Sequence, residues 1–139
     1  MRYPTGEDPL AEADDMYREH ILDHYQSPRH AGRIAKPDVY HKELNPSCGD
    51  EIELSIRLDK DQIKEARFAG HGCAISQAAA SMLMEKIQGK PLKEAAKMTK
   101  EDMLELLAIP IGVVRIKCAL LALRTLERSI LLHDAQVKR

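Results

Sequence analysis

Eight consecutive residues, Glu51-Ile52-Glu53-Leu54-Ser55-Ile56-Arg57-Leu58, alternate polar and apolar side chains without a break. Successive side chains on a strand point to opposite faces, so this run predicts a β-strand with one buried and one wet face. Such a strand needs neighbours in a sheet and a layer packed on its apolar side. The polar stretch Asp59-Lys60-Asp61-Gln62 predicts a hairpin turn into a second strand over 63–70, with Ala66 and Phe68 facing the core and Glu65 and Arg67 facing water. Residues 39–44 supply an edge strand, and Asn45-Pro46-Ser47-Cys48-Gly49-Asp50 has the composition of a turn. The product is an antiparallel sheet.

Beyond Cys73 the periodicity becomes helical. Residues 74–88, rich in Ala, Met and Leu, predict a helix that stops at Gly89-Lys90-Pro91, and 92–98 predict a short one. Thr99 with Asp102 three residues later resembles a capping box opening a helix through Leu107, and Ile109-Pro110-Ile111-Gly112 then breaks it. From Val113 the positions Ile116, Leu120, Leu123, Leu126 and Ile130 recur every three or four residues, with Arg115, Lys117, Arg124 and Arg128 on the polar side of a long last helix. Ahead of the sheet, Tyr17, Ile21 and Tyr25, with Leu22 beside them, mark an amphipathic helix from Asp15 to Ser27-Pro28. Its His20 and His24, at i, i+4 spacing, read as surface or boundary histidines rather than ligands. Residues 1–14 read as a flexible lead-in and 15–139 as one domain of class α+β, a sheet followed by packed helices.

Composition narrows the function. With 21 basic and 22 acidic residues, the chain has no net electrostatic drive toward nucleic acid or anionic lipid. No apolar run approaches the roughly 20 residues of a membrane span. The first residues lack a signal-peptide core and are acidic, so the expected location is the cytoplasm. Three cysteines cannot all pair within one chain, and a reducing cytosol keeps them as thiols. Burial, reactivity or metal binding remain as their roles.

Each cysteine falls at a boundary between elements: Cys48 in the turn, Cys73 after Gly70-His71-Gly72 at a helix start, Cys118 in the opening turns of the last helix. Unpaired N–H groups at helix N-termini stabilise thiolates, which predicts lowered pKa values for Cys73 and Cys118. Taken singly, each cysteine reads equally as a small buried hydrophobe. Together with Asp50, two residues from Cys48, they make four donors, the number for tetrahedral zinc or for a two-iron cluster, and spacing leaves that choice open.

The strings Asn45-Pro46-Ser47-Cys48-Gly49-Asp50, Gly72-Cys73-Ala74-Ile75-Ser76 and Arg115-Ile116-Lys117-Cys118-Ala119 together resemble the U-type iron-sulfur cluster scaffold family, known as IscU, SufU and the amino-terminal domain of NifU. The likeness extends to Tyr17-Arg18-Glu19, Ile21-Leu22-Asp23-His24-Tyr25 and Ser27-Pro28-Arg29 in the first helix. It implies an α+β sandwich, a three-stranded antiparallel sheet packed with helices, and Cys48, Asp50, Cys73 and Cys118 as ligands of iron, a transient [2Fe-2S] cluster or zinc. It further implies a cysteine desulfurase that delivers persulfide sulfur, with Cys118 and Cys48 as candidate acceptors, and apo iron-sulfur proteins that take the cluster. An electron donor and an iron donor complete the expected partners, and the oligomeric state is left open. The leading expectation is a scaffold without turnover of its own; the alternative is a zinc-bound sulfur acceptor of SufU type.

Three departures from the family's patterns matter. IscU-type members carry histidine before the last cysteine, where this chain has Lys117 as SufU-type members do, and Lys117 is assigned a charge role toward the Cys118 thiolate or an incoming persulfide. The interval from Cys73 to Cys118 is too short for the extra segment of SufU-type chains. Gly112-Val113-Val114-Arg115 stands in place of the Leu-Pro-Pro-Val-Lys segment read by an Hsp70 chaperone, so the resemblance does not carry chaperone recognition. His71, beside Gly72-Cys73, is the remaining candidate ligand or a bystander at a strand end.

Overall fold

The computed structural model of the chain describes residues 15–45, 49–108 and 115–137. The lead-in at 1–14, Cys48, the helix break at 109–112 and the start of the last helix at Val113 lie outside them. In chain order the elements are α1 (Asp15–Gln26), β1 (Val39–Asn45), β2 (Asp50–Asp59), β3 (Gln62–His71), α2 (Ala74–Ile87), α3 (Leu92–Ala95), α4 (Lys100–Leu107) and α5 (Ile116–Val137).

The alternating run is the central strand of an antiparallel sheet in the order β1-β2-β3. Ile52, Leu54 and Ile56 are fully buried, and across from them on the same face lie Ala66 and Phe68, also buried. Ser55 departs from the simple alternation, being buried on the opposite face. The segment after α1 runs beside the sheet, Gly32 N–H donating to Phe68 O at 2.8 Å and Phe68 N–H to His30 O at 3.0 Å. The outer edge of β3 is therefore paired rather than open, which removes a template for aggregation.

Lys60 and Asp61 at the β2–β3 hairpin have φ of 52° and 70°, the two left-handed residues of a primed turn whose twist matches the strands. Neither is Gly or Asn, and left-handed backbone costs other L-residues roughly 1 kcal/mol or more apiece. Asn-Gly is the pair suited to this turn, so Lys60→Asn/Asp61→Gly is expected to raise stability by about 1 kcal/mol, read as a thermal midpoint about 3–5 °C higher. The hairpin is tied to the helical layer by backbone bonds from Leu92 N–H to Asp61 O and Ile63 N–H to Lys90 O, both 2.8 Å.

Helix α2 is buried almost all round, as a helix rich in Ala, Met and Leu must be when other elements cover it on several sides. It packs against α1, α4, α5 and β3. Helix α4 opens on the expected capping box, Thr99 Oγ1 accepting from Asp102 N–H at 3.1 Å and Asp102 Oδ2 from Thr99 N–H at 2.9 Å. Helix α5 buries a stripe from Cys118 to Ile130, and its buried Thr125 and Ser129 hydroxyls donate to carbonyls of the same helix. Arg128 on its polar side pairs with Glu43 of β1 at 2.5 Å.

His24 is not a surface residue: it is 2% exposed, with Nδ1 2.8 Å from Ser81 Oγ of α2. Ser81 Oγ also accepts the Arg29 N–H at 2.8 Å, so one hydroxyl joins α1, α2 and the segment after α1. Burial, reinforced by the charges of Arg29 and His20 and opposed by Glu85 and Asp23, holds the His24 pKa below the ordinary 6.5. The unfolded chain then binds this proton at higher pH than the folded one, so stability is lost as pH falls below about 6.5. The thermal midpoint is expected to drop between pH 7.5 and 5.5, and the drop should shrink in His24→Gln.

Candidate metal centre

Asp50 opens β2, opposite Asn45 in the register, across a turn in which Gly49 adopts φ of 75° and donates its N–H to Asn45 O at 2.8 Å. By parity its side chain shares the inner face with Ile52, Leu54 and Ile56, and it is only 4% exposed. A buried carboxylate is expensive unless partners reach it. Cys73 provides two: its N–H donates to Oδ1 at 3.3 Å and its Sγ lies 3.7 Å from Oδ2.

Cys73 itself is the N-cap of α2, with extended backbone and Sγ accepting from Ser76 N–H at 3.5 Å. A thiol thus occupies the place where Ser or Asp satisfies the first free amides of a helix. Fully buried Ser76 donates its hydroxyl to Cys73 O at 3.1 Å and locks the first turn. Cys118, on the first turn of α5, comes to the same spot from the opposite end of the sequence and is 3% exposed. Neither Cys73 nor Cys118 is disulfide-bonded.

Donor atoms of Asp50, Cys73 and Cys118 lie within 4.8 Å of one another. Burial first, then Cys73 and Asp50 beside it, push the Cys118 thiol well above its ordinary pKa. This corrects the lowered value expected at that cysteine, because loss of water and acidic neighbours outweigh the helix terminus. The same crowding is a test of fit for a cation. Two thiols and a carboxylate in one buried corner can all be negative only if positive charge sits among them, and a coordinating thiol is deprotonated outright. A tetrahedral ion with bonds of about 2.3 Å to sulfur has donor-to-donor edges of about 3.8 Å, within the spread of these three atoms.

Of the other residues singled out by sequence, Cys48 lies outside the described ones. Lys117 is exposed on α5. His71 pairs with Glu51 on the outer face of the sheet, 72% exposed and 3.8 Å from its carboxylate, and is not brought into the cluster. His20 and His24 meet edge to face at 4.8 Å and are not members of the cluster. Gly72 and Ser76 flank the cluster on either side of Cys73, and sequence reasoning gives them no role; a small residue before a helix N-cap and a hydroxyl three after it are the local signal. No helix among the described residues is long and apolar enough to cross a membrane.

The family profile described as NifU-like N terminal domain matches residues 16–139. The zinc-dependent sulfurtransferase SufU of Bacillus subtilis is 36% identical over 137 residues, 86% of this chain and 92% of its own. The iron-sulfur cluster assembly scaffold protein IscU of Thermotoga maritima is 34% identical over 131 residues, 83% of this chain and 92% of its own. A solved structure from Fervidobacterium islandicum AW-1, described as a SUF-system iron-sulfur cluster assembly scaffold, superposes with a TM-score of 0.73 at 30% identity, covering 85% of this chain and 98% of that one.

Proposed function

Because the chain belongs to the NifU-like amino-terminal domain family, with IscU and SufU among its relatives, we propose that it serves iron-sulfur cluster assembly as a zinc-bound acceptor of persulfide sulfur from a cysteine desulfurase. The observation that carries the zinc reading is the spacing of Asp50, Cys73 and Cys118, whose donors crowd within 4.8 Å. That suits one ion, whereas a two-iron cluster divides its ligands into pairs set further apart. Cys48, two residues from Asp50 in the chain, supplies the fourth donor. Similarity to the zinc-dependent SufU supports the same reading, as does Lys117 before the last cysteine, where the chain resembles SufU-type members.

Bound zinc keeps the cysteine sulfurs as thiolates at neutral pH. A thiolate of the chain attacks the outer sulfur of the desulfurase persulfide, forming a new S–S bond while the old one breaks and the desulfurase cysteine leaves as thiolate. Of the two candidate acceptors, Cys118 is too buried to meet a partner's persulfide. The burial of Cys118 favours Cys48 as the acceptor in this proposal, with Cys118 and Cys73 as anchors. Exposed Lys117, next to Cys118 in the chain, attracts the persulfide anion. Lys117→Glu is expected to slow sulfur uptake roughly 10-fold without releasing zinc, measured by rapid-quench transfer at low salt.

The proposal is tested by incubating the zinc-loaded chain with a desulfurase and cysteine, then alkylating and mapping the persulfide. One added sulfur on Cys48, absent from Cys48→Ala, is the expected result; transfer undiminished in that variant sinks Cys48 as acceptor, and no transfer to wild type sinks the function.

A second reading, a scaffold for [2Fe-2S] clusters with iron as cargo, draws on the 34% identity to IscU. The alignment to SufU also runs over 137 residues while using 86% of this chain, so SufU has segments without a counterpart here. In that reading Asp50 is the harder, weaker ligand that opens for transfer to an apo-protein. Asp50→Ala should then slow loss of a reconstituted cluster to an apo-acceptor, and equal or faster transfer would contradict it.

A further inference from the structure

We propose that Gly72 admits the Asp50 carboxylate to the metal shell, so that this one position decides whether the site presents mixed sulfur and oxygen donors or sulfur alone. The inference rests on the zinc-site reading above and adds a positioning residue to it.

Two glycines flank the site for different reasons. Gly49 has φ of 75° and open space around a would-be Cβ, so its backbone conformation requires glycine. Gly72 is not among the positive-φ glycines, so a left-handed φ is not what calls for glycine there. What it lacks is room: a Cβ there would lie 2.8 Å from both Cγ and Oδ1 of Asp50 and 2.5 Å from Ser76 Oγ. The Ser76 hydroxyl can swing away by giving up one bond to Cys73 O. The carboxylate would give up two contacts, because Cys73 holds both of its oxygens, through N–H on Oδ1 and Sγ on Oδ2. A methyl group at residue 72 therefore acts on Asp50. Oxygen is the harder donor of the set and the weaker partner for an ion that prefers sulfur, so displacing it changes the character of the site as well as its affinity.

The test uses cobalt(II), whose visible spectrum reports coordination number and donor set, and a Ser76→Ala background that removes the second collision. Gly72→Ala/Ser76→Ala is expected to bind cobalt about 10–100-fold more weakly than Ser76→Ala, with the spectrum of Asp50→Ala/Ser76→Ala. Adding Gly72→Ala to Asp50→Ala/Ser76→Ala should change affinity less than about twofold, since the carboxylate it would strike is gone. If Gly72→Ala/Ser76→Ala fails to fold, the triple variant with Asp50→Ala should fold and unfold at the midpoint of its parent. Equal losses with and without Asp50, in affinity or in the metal-free midpoint, or a triple variant that also fails to fold, overturn the inference. A wild type that takes up no cobalt overturns both this and the zinc reading, whereas one that takes up cobalt and accepts no persulfide sulfur overturns the functional reading alone.

Discussion

Cys118→Ala is expected to weaken zinc binding roughly 100- to 1,000-fold while leaving the protein folded. Four-ligand zinc sites bind with about 10–16 kcal/mol in all, so one ligand accounts for about 2.5–4 kcal/mol, which is two to three decades in affinity. Competition with a chromophoric chelator measures it. The metal-free protein should lose about 1–3 kcal/mol, since the Cys118 thiol also bonds Asp50 and Cys73, and should stay folded because Asp50 keeps both contacts from Cys73. Chelation of the wild type should likewise lower the thermal midpoint without unfolding the chain. The core runs from Ile21 to Ile130 through the sheet and all five helices, and bound zinc adds only its own linkage term. A fold that collapses on chelation would make the metal structural and remove the argument that its ligands are there for chemistry.

Leu83→Ala is expected to cost about 2–5 kcal/mol, a large part of the roughly 5–15 kcal/mol that holds a domain together. Leu83 is fully buried in α2, the helix with neighbours on several sides, so no single element can relax into the space left behind. Urea denaturation should show a lower midpoint at unchanged slope. Leu131→Ala supplies the contrast: that side chain is 67% exposed near the end of α5, and its loss should fall within about 0.5 kcal/mol.

What was legible in the sequence was local. The unbroken alternation at 51–58 identified the central strand, the polar tetrad at 59–62 the hairpin, and Thr99 with Asp102 the capping box, since each is a pattern over a few neighbours. The left-handed pair Lys60 and Asp61 escaped notice because their residue types do not advertise positive φ. Burial of His24 depends on Ser81, 57 residues later, and nothing on the amphipathic face of α1 signals that partner. The site was found through its cysteines and the family likeness, but its internal chemistry was not. That the Cys118 pKa is raised rather than lowered follows first from burial and then from Cys73 and Asp50, which the fold alone brings against it. Gly72 gains meaning only when Asp50, 22 positions earlier in the chain, is seen beneath it.

The central claim, a one-ion zinc centre built from Cys48, Asp50, Cys73 and Cys118, is tested most directly by anaerobic purification followed by metal and acid-labile sulfide analysis of wild type and each cysteine variant. The account predicts about one zinc per wild-type chain, no labile sulfide, and zinc lost from every variant. Iron and sulfide in equal amounts with the absorption of a cluster, and no retained zinc, would contradict it.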